Sequence, residues 1–182
     1  RAYGWAFPSV GERYALLEDA LAALPVLWGP GGKPFRGRVL DLPDTAAYPR
    51  PLQERVPIVL GGGGERRTLA LAARYADAAN VLGDLPTVAR KAAVLRAHCA
   101  DVGREFDSIR KTYTFTAYLK PTKSAALTWA GSAMDREFPP FAGTPAELRD
   151  HITELVDVGF DLFQIVLPGF PETDDMALFV DE

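Results

Sequence analysis

The stretch "VPIVLGGGGERRTLALAARYADAANVLGD", residues 56–84, carries an apolar run into four consecutive glycines and then into a helical pattern. Because "PIVLGG" is continuous rather than alternating, it reads as a parallel strand buried on both faces. "ERRTLALAARYA" reads as a helix and "DAANVLG" as the next short strand. Glycine loses more chain entropy on folding than any other residue, so a string of it needs a compensating use. A strand that ends in glycines and feeds a helix makes an anion site by geometry. Backbone N–H groups point outward, the helix dipole favours negative charge, and absent side chains let a phosphate approach. Gly61, Gly62, Gly63 and Gly64 are therefore candidate phosphate-binding residues. The bland alternative is a tight turn with close helix–sheet packing, which requires fewer glycines.

The kind of phosphate site is less sharply marked. No Gly-Lys-Ser/Thr follows, so the P-loop pattern fails. The dinucleotide fingerprint is nearly met, but Arg67 stands where its third glycine belongs. Asp84 sits at a plausible distance for a ribose contact, but a turn residue or the cap of the next helix is the favoured reading. Arg66 and Arg67 either add charge to a phosphate or are simply solvated. Asn80 and Leu82 share one side of the second strand, near where a ligand on the turn would extend.

Working outward, Ser9 or Gly11 caps a helix whose stripe is Tyr14, Leu17, Leu21 and Leu24, and Pro25 predicts a kink or an early end. "FRGRVLDLP" is a short extended excursion and "AAYPRPLQERVP" an irregular connector. Downstream, "LPTVARKAAVLRAHCADVG" is a helix with Gly103 placed to terminate it, and "SIRKTYTFTAYLKP" alternates as a strand. "KSAALTWAGSAMDREF" reads as helix plus loop. Thr144, Pro145 and Glu147 form a strong helix start, "FDLFQIVLPGF" reads as another buried strand, and "ETDDMALFVDE" begins a last helix. Strands alternating with helices predict an α/β fold, a parallel sheet with crossover helices. The 182 residues are expected to form a single domain, 1–182.

Composition narrows the function classes. A net charge of −4 gives no electrostatic case for nucleic acid or an anionic membrane. One cysteine, Cys99, excludes an internal disulfide and a multi-thiolate metal site, and His98 and His151 lack ligand spacing, so no metal site is expected. No stretch is apolar enough to span a bilayer and no signal peptide opens the chain, so a cytoplasmic location is expected.

At "FPSVGERYALLEDAL", "VPIVLGGGGERRTLALAARYADAANVLG", "AVLRAHCADVGRE" and "GTPAELRDHITELVDVGFDLFQIVLP", the chain resembles the luciferase-like oxidoreductases. It is most similar to an actinobacterial subgroup associated with the deazaflavin coenzyme F420. The resemblance implies a (β/α)8 TIM barrel, of which this chain would hold the second half, about four parallel strands with their helices. It also implies hydride transfer or monooxygenation of a small organic substrate with F420, or alternatively FMN, as cofactor. By position, Gly61 to Gly64 match the segment that contacts the cofactor's phosphate-bearing tail, and Asn80, Val81 and Leu82 match a strand tip lining that tail. Tyr3, Trp5 and Phe7 match a segment beside the substrate mouth, or else anchor a loop. No residue of the chain has the context of a catalytic acid or base, and none is named. The cationic residues that sugar-phosphate-specific relatives use have no clear match here.

Two other readings stand beside the oxidoreductase. One is a non-catalytic phosphate- or nucleotide-binding half-barrel, and the other a Rossmann-type NAD(P)-binding domain with an open sheet. Four strands would leave two open edges, which predicts a homo-oligomer or pairing with a complementary half-barrel.

Overall fold

The computed structural model describes residues 4, 7–45, 47–135, 140–169 and 171–180. They divide into two compact units, Arg1–Ile58 and Val59–Glu182. In the first unit, helix α1 (Val10–Trp28) opens with a capping box at Ser9. The Glu12 amide donates to Ser9 Oγ at 3.3 Å while the Ser9 amide donates to the Glu12 carboxylate at 2.8 Å. Of the kink or early end that Pro25 predicts, the early end does not occur: the helix runs on to Trp28. Proline removes its own donor and crowds the carbonyl four residues before it, yet the Gly29 amide, donating to Pro25 O at 3.0 Å, closes the one remaining turn. The extended excursion is an antiparallel pair, β1 (Phe35–Arg36) and β2 (Asp41–Leu42). Buried Asp19 of α1 pins the loop between them by accepting the Val39 and Leu40 amides at 2.6 and 2.8 Å.

The second unit carries the parallel sheet. Its strands are β3 (Val59–Gly61), β4 (Ala78–Val81), β5 (Arg110–Leu119), β6 (Phe141–Gly143) and β7 (Leu162–Val166). Its helices are α2 (Thr68–Tyr75), α3 (Leu85–Asp101), α4 (Lys123–Ala130), α5 (Pro145–Asp157) and α6 (Asp174–Val180). β3 pairs with β4, β4 with β5, and β5 with both β6 and β7, every pair parallel. Chain order is thus kept across the sheet, without the reversal that defines a Rossmann crevice. This is the α/β arrangement expected of part of a (β/α)8 barrel. The predicted strands are all present, and β6 is an addition that three residues are too few to announce by periodicity.

The register Gly61–Asn80–Thr112–Leu162 puts these residues on one face of the sheet. The opposite face, with Leu60, Ala79, Val81, Tyr113, Phe115, Ala117 and Leu119, is buried. Phe160, Leu69, Ile109, Leu155 and Val88 complete that core. The prediction that β3 and β7 are buried on both faces is therefore corrected. Val59 is 59% exposed, Leu162 40% and Val166 52%, so these two strands are open to solvent on the face those residues share.

α5 starts as predicted: the Glu147 amide donates to Thr144 Oγ1 at 3.3 Å, the Thr144 amide donates to the Glu147 carboxylate at 3.0 Å, and Pro145 occupies the first turn. No helix among the described residues is long and apolar enough to cross a membrane.

Candidate functional site at the glycine turn

The carboxyl ends of β3 and β4 meet at the glycine segment. The Gly62 amide donates to Asn80 O at 3.0 Å, so the turn leaves the sheet from β4's side. Each glycine described there is small for a different reason. Gly62 has φ +126°, a conformation side chains rarely adopt, and a Cβ would lie 3.2 Å from the Thr68 methyl. A Cβ at Gly63 would run into the Lys91 ammonium and sit 2.8 Å from its Cε. At Gly61 a Cβ would meet nothing within 4 Å. Packing therefore accounts for Gly62 and Gly63, and leaves Gly61 open toward the concave face. The α2 amides continue the turn, with Leu69 N donating to Gly64 O at 3.1 Å.

Helix α3 grips this turn from behind. The Lys91 ammonium, on a residue 8% exposed, donates to Leu82 O at 2.7 Å. Arg90 Nε donates to the Glu65 carboxylate at 2.9 Å, and His98 Nε2 lies 2.8 Å from Glu65 O. Because that partner is a carbonyl, the His98 bond requires the proton on Nε2. Sequence reading missed the part all three side chains play, although Lys91 and His98 lie two turns apart on one helical face.

Beside the turn, the concave face carries a polar ribbon. The Thr112 hydroxyl donates to Asn80 Oδ1 at 3.0 Å. Thr114 Oγ1 lies 2.6 Å from Gln164 Oε1 and 3.3 Å from Asn80 Oδ1, and its single proton serves one of them. A cleft of ≈ 300 Å³ opens at the same end of the sheet, past the ends of β5 and β7. Lys120, Trp129, Pro168, Gly169 and Asp175 line it, with the Lys120 ammonium 4.4 Å from the centre of the Trp129 ring. In barrels of parallel strands, ligands sit at this carboxyl-end face.

Comparison with known proteins decides the family. Residues 2–156 match the family model of the luciferase-like monooxygenases. The chain belongs to that family. Among curated proteins, the F420-dependent glucose-6-phosphate dehydrogenase of Kineococcus radiotolerans is 36% identical over 63 residues, 35% of this chain and 18% of that protein. Among solved structures, a riboflavin lyase with modified FMN and riboflavin superposes with a TM-score of 0.80 at 16% identity, over 99% of this chain and 59% of that one. The coenzyme F420 dependent tetrahydromethanopterin reductase of Methanopyrus kandleri gives 0.71 at 17% identity, over 96% and 62%. The chain therefore spans less than two thirds of each of these relatives, and at 16–17% identity the structural likeness is one of fold.

For a luciferase-like chain, the remaining predicted residues fall as follows. Asn80 lies on the concave face within the polar ribbon, and Leu82 is 42% exposed at the strand tip. Val81 points to the helix-covered face and is 5% exposed, so only its backbone is presented to the turn. Asp84 caps α3, its carboxylate accepting the Thr87 amide at 3.0 Å, and hydrogen bonds from the Thr87 side chain and then its amide hold its pKa below the usual carboxylate value. Phe7 is exposed with the Arg13 guanidinium 4.6 Å from its ring centre, while Tyr3 and Trp5 lie outside the described residues. Cys99 is buried in α3, and burial pushes its thiol pKa up. Among the described residues no cluster of metal-ligating side chains occurs.

Proposed function

We propose that this chain forms the glycine-turn half of a luciferase-like oxidoreductase, and that it binds the phosphate-bearing tail of coenzyme F420, with FMN as the alternative. The observation that carries this reading is the open backbone at Gly61 beside the strained Gly62, at the carboxyl end of a parallel strand that feeds a helix. Gly61, Gly62, Gly63 and Gly64 would hold the tail, and Asn80 and Leu82 would flank it. The relatives support the cofactor class, since one is named for F420 and another holds a modified FMN. When bound, such a cofactor supplies a ring that exchanges hydride with a small organic substrate, and FMN can also serve monooxygenation. The chain's own residues position the tail at the turn and place Thr112, Thr114 and Gln164 along the concave face. That face exposes Val59, Leu162 and Val166, and in this reading it is covered by further strands, either from a second copy or from a complementary half-barrel.

The test is a fluorescence titration of the 182-residue chain with F420 and, separately, with FMN, paired with light scattering on the same samples. Saturable binding of one of them supports the reading. A folded chain that binds neither overturns it.

A further inference from the structure

Resting on that reading, we propose that Lys91 is the residue that makes the glycine turn select a phosphate-bearing ligand over the same ring system without its phosphate. The ammonium is locked in place by donating to Leu82 O at 2.7 Å. Its side chain occupies the volume that any side chain at Gly63 would need. The charge therefore stands directly against the segment of bare backbone that a phosphate approaches, on a residue only 8% exposed. A charge removed from bulk water acts through a lower effective dielectric, so its pull on an anion exceeds that of a solvated surface lysine. Arg66 and Arg67, the cations nearest in sequence to the turn, are exposed. Gly63 is then small for a reason of charge placement: it admits the lysine stem beneath the turn.

Neighbouring contacts fix this arrangement. Arg90 and His98, from the same helix, bond to Glu65 at the start of the segment that follows the glycines. The turn is thus tied to α3 at three side chains, and the ammonium cannot swing away without opening the Leu82 bond. Lys91 acts here as a positioning and selecting group, and nothing in the arrangement asks it to donate or accept a proton during chemistry.

The experiment measures affinity for FMN and for riboflavin, which share a ring and differ by the phosphate, in the full chain and in Lys91→Met. The unsubstituted chain is expected to prefer FMN. Lys91→Met is expected to lose at least tenfold in FMN affinity while riboflavin affinity stays within twofold, so the preference collapses. Lys91→Arg, which keeps the charge, is expected to retain most of it. Should Lys91→Met fail to fold, Lys91→Gln, which keeps a donor for Leu82 O, takes its place. Equal loss of both ligands, or no loss of either, would overturn the proposal. A parent chain that binds FMN and riboflavin equally well also overturns it while leaving a flavin site standing. A parent chain that binds neither flavin nor F420 overturns the functional reading itself, and this inference with it.

Discussion

Gly61→Ala separates ligand contact from stability more cleanly than any other substitution at the turn. An alanine methyl at this position would meet no protein atom within 4 Å, and its backbone lies outside the left-handed region. The substitution removes freedom from the unfolded chain, so unfolding stability should rise by about 0.4–1 kcal/mol, or at least not fall. Gly62→Ala is its control. There φ is +126° and the added carbon sits 3.2 Å from the Thr68 methyl, so a cost on the order of 1–3 kcal/mol is expected from the backbone alone. Urea unfolding followed by circular dichroism reads both values.

The binding consequences run the other way. If a cofactor tail packs against the bare Cα of Gly61, the new methyl overfills that contact, at a typical cost of about 1–3 kcal/mol. With tenfold in affinity per ~1.4 kcal/mol, this amounts to a loss of roughly 5- to 150-fold. The expected result is thus a chain at least as stable as the parent that binds F420 or FMN much more weakly. Wild-type affinity in a Gly61→Ala chain of undiminished stability would refute the argument, because it would show that nothing approaches Gly61.

Two other predictions follow from the same core. His151 of α5 is half-buried between the rings of Phe115 and Phe141, and burial lowers its pKa below 6.5 against an opposing pull from Glu154. The unfolded state then binds the proton more readily, so stability is complete above pH ~6.5, falls as pH drops below it, and levels off under the folded pKa. Urea midpoints at a series of pH values check this, and His151→Phe should flatten that part of the profile. Thr144→Ala removes the acceptor for the Glu147 amide and should cost about 1 kcal/mol of unfolding stability, with unchanged ligand affinity, as α5 lies away from the glycine turn in sequence and is held to β6.

How much of this was legible in the sequence depends on how local the cause is. Helix starts at Ser9, Asp84 and Thr144 rest on bonds to the third residue onward, and each is where the sequence puts it. The parallel sheet is legible for a related reason, since β4 and β5 announce themselves by composition and alternation and the intervening helices fix their direction. Burial of the strands is another matter. An apolar run shows that a strand suits a core, but whether both of its faces are covered depends on what else packs there. Val59 and Val166 are apolar and yet exposed, which their own run of sequence does not announce. Thr112, Thr114 and Thr116 alternate within "KTYTFTAY", which identifies a strand. The same spacing puts three hydroxyls on one face, a polar lining for a barrel interior that the alternation alone does not assign to a ligand.

The glycine turn shows the limit most clearly. Four glycines in a row suggest one shared purpose, yet the structure separates three of them: a backbone angle at Gly62, a lysine side chain at Gly63, and open space at Gly61. The lysine reaches the turn from a helix that begins only after the next strand, so no local pattern links Gly63 to Lys91. Only the fold brings them together, and it does so where β3 and β4 end, at the face on which a parallel barrel binds its ligands. Residues that position a site from behind are chosen by tertiary packing. A sequence therefore displays the bare backbone that receives a ligand more readily than the charge that makes it selective.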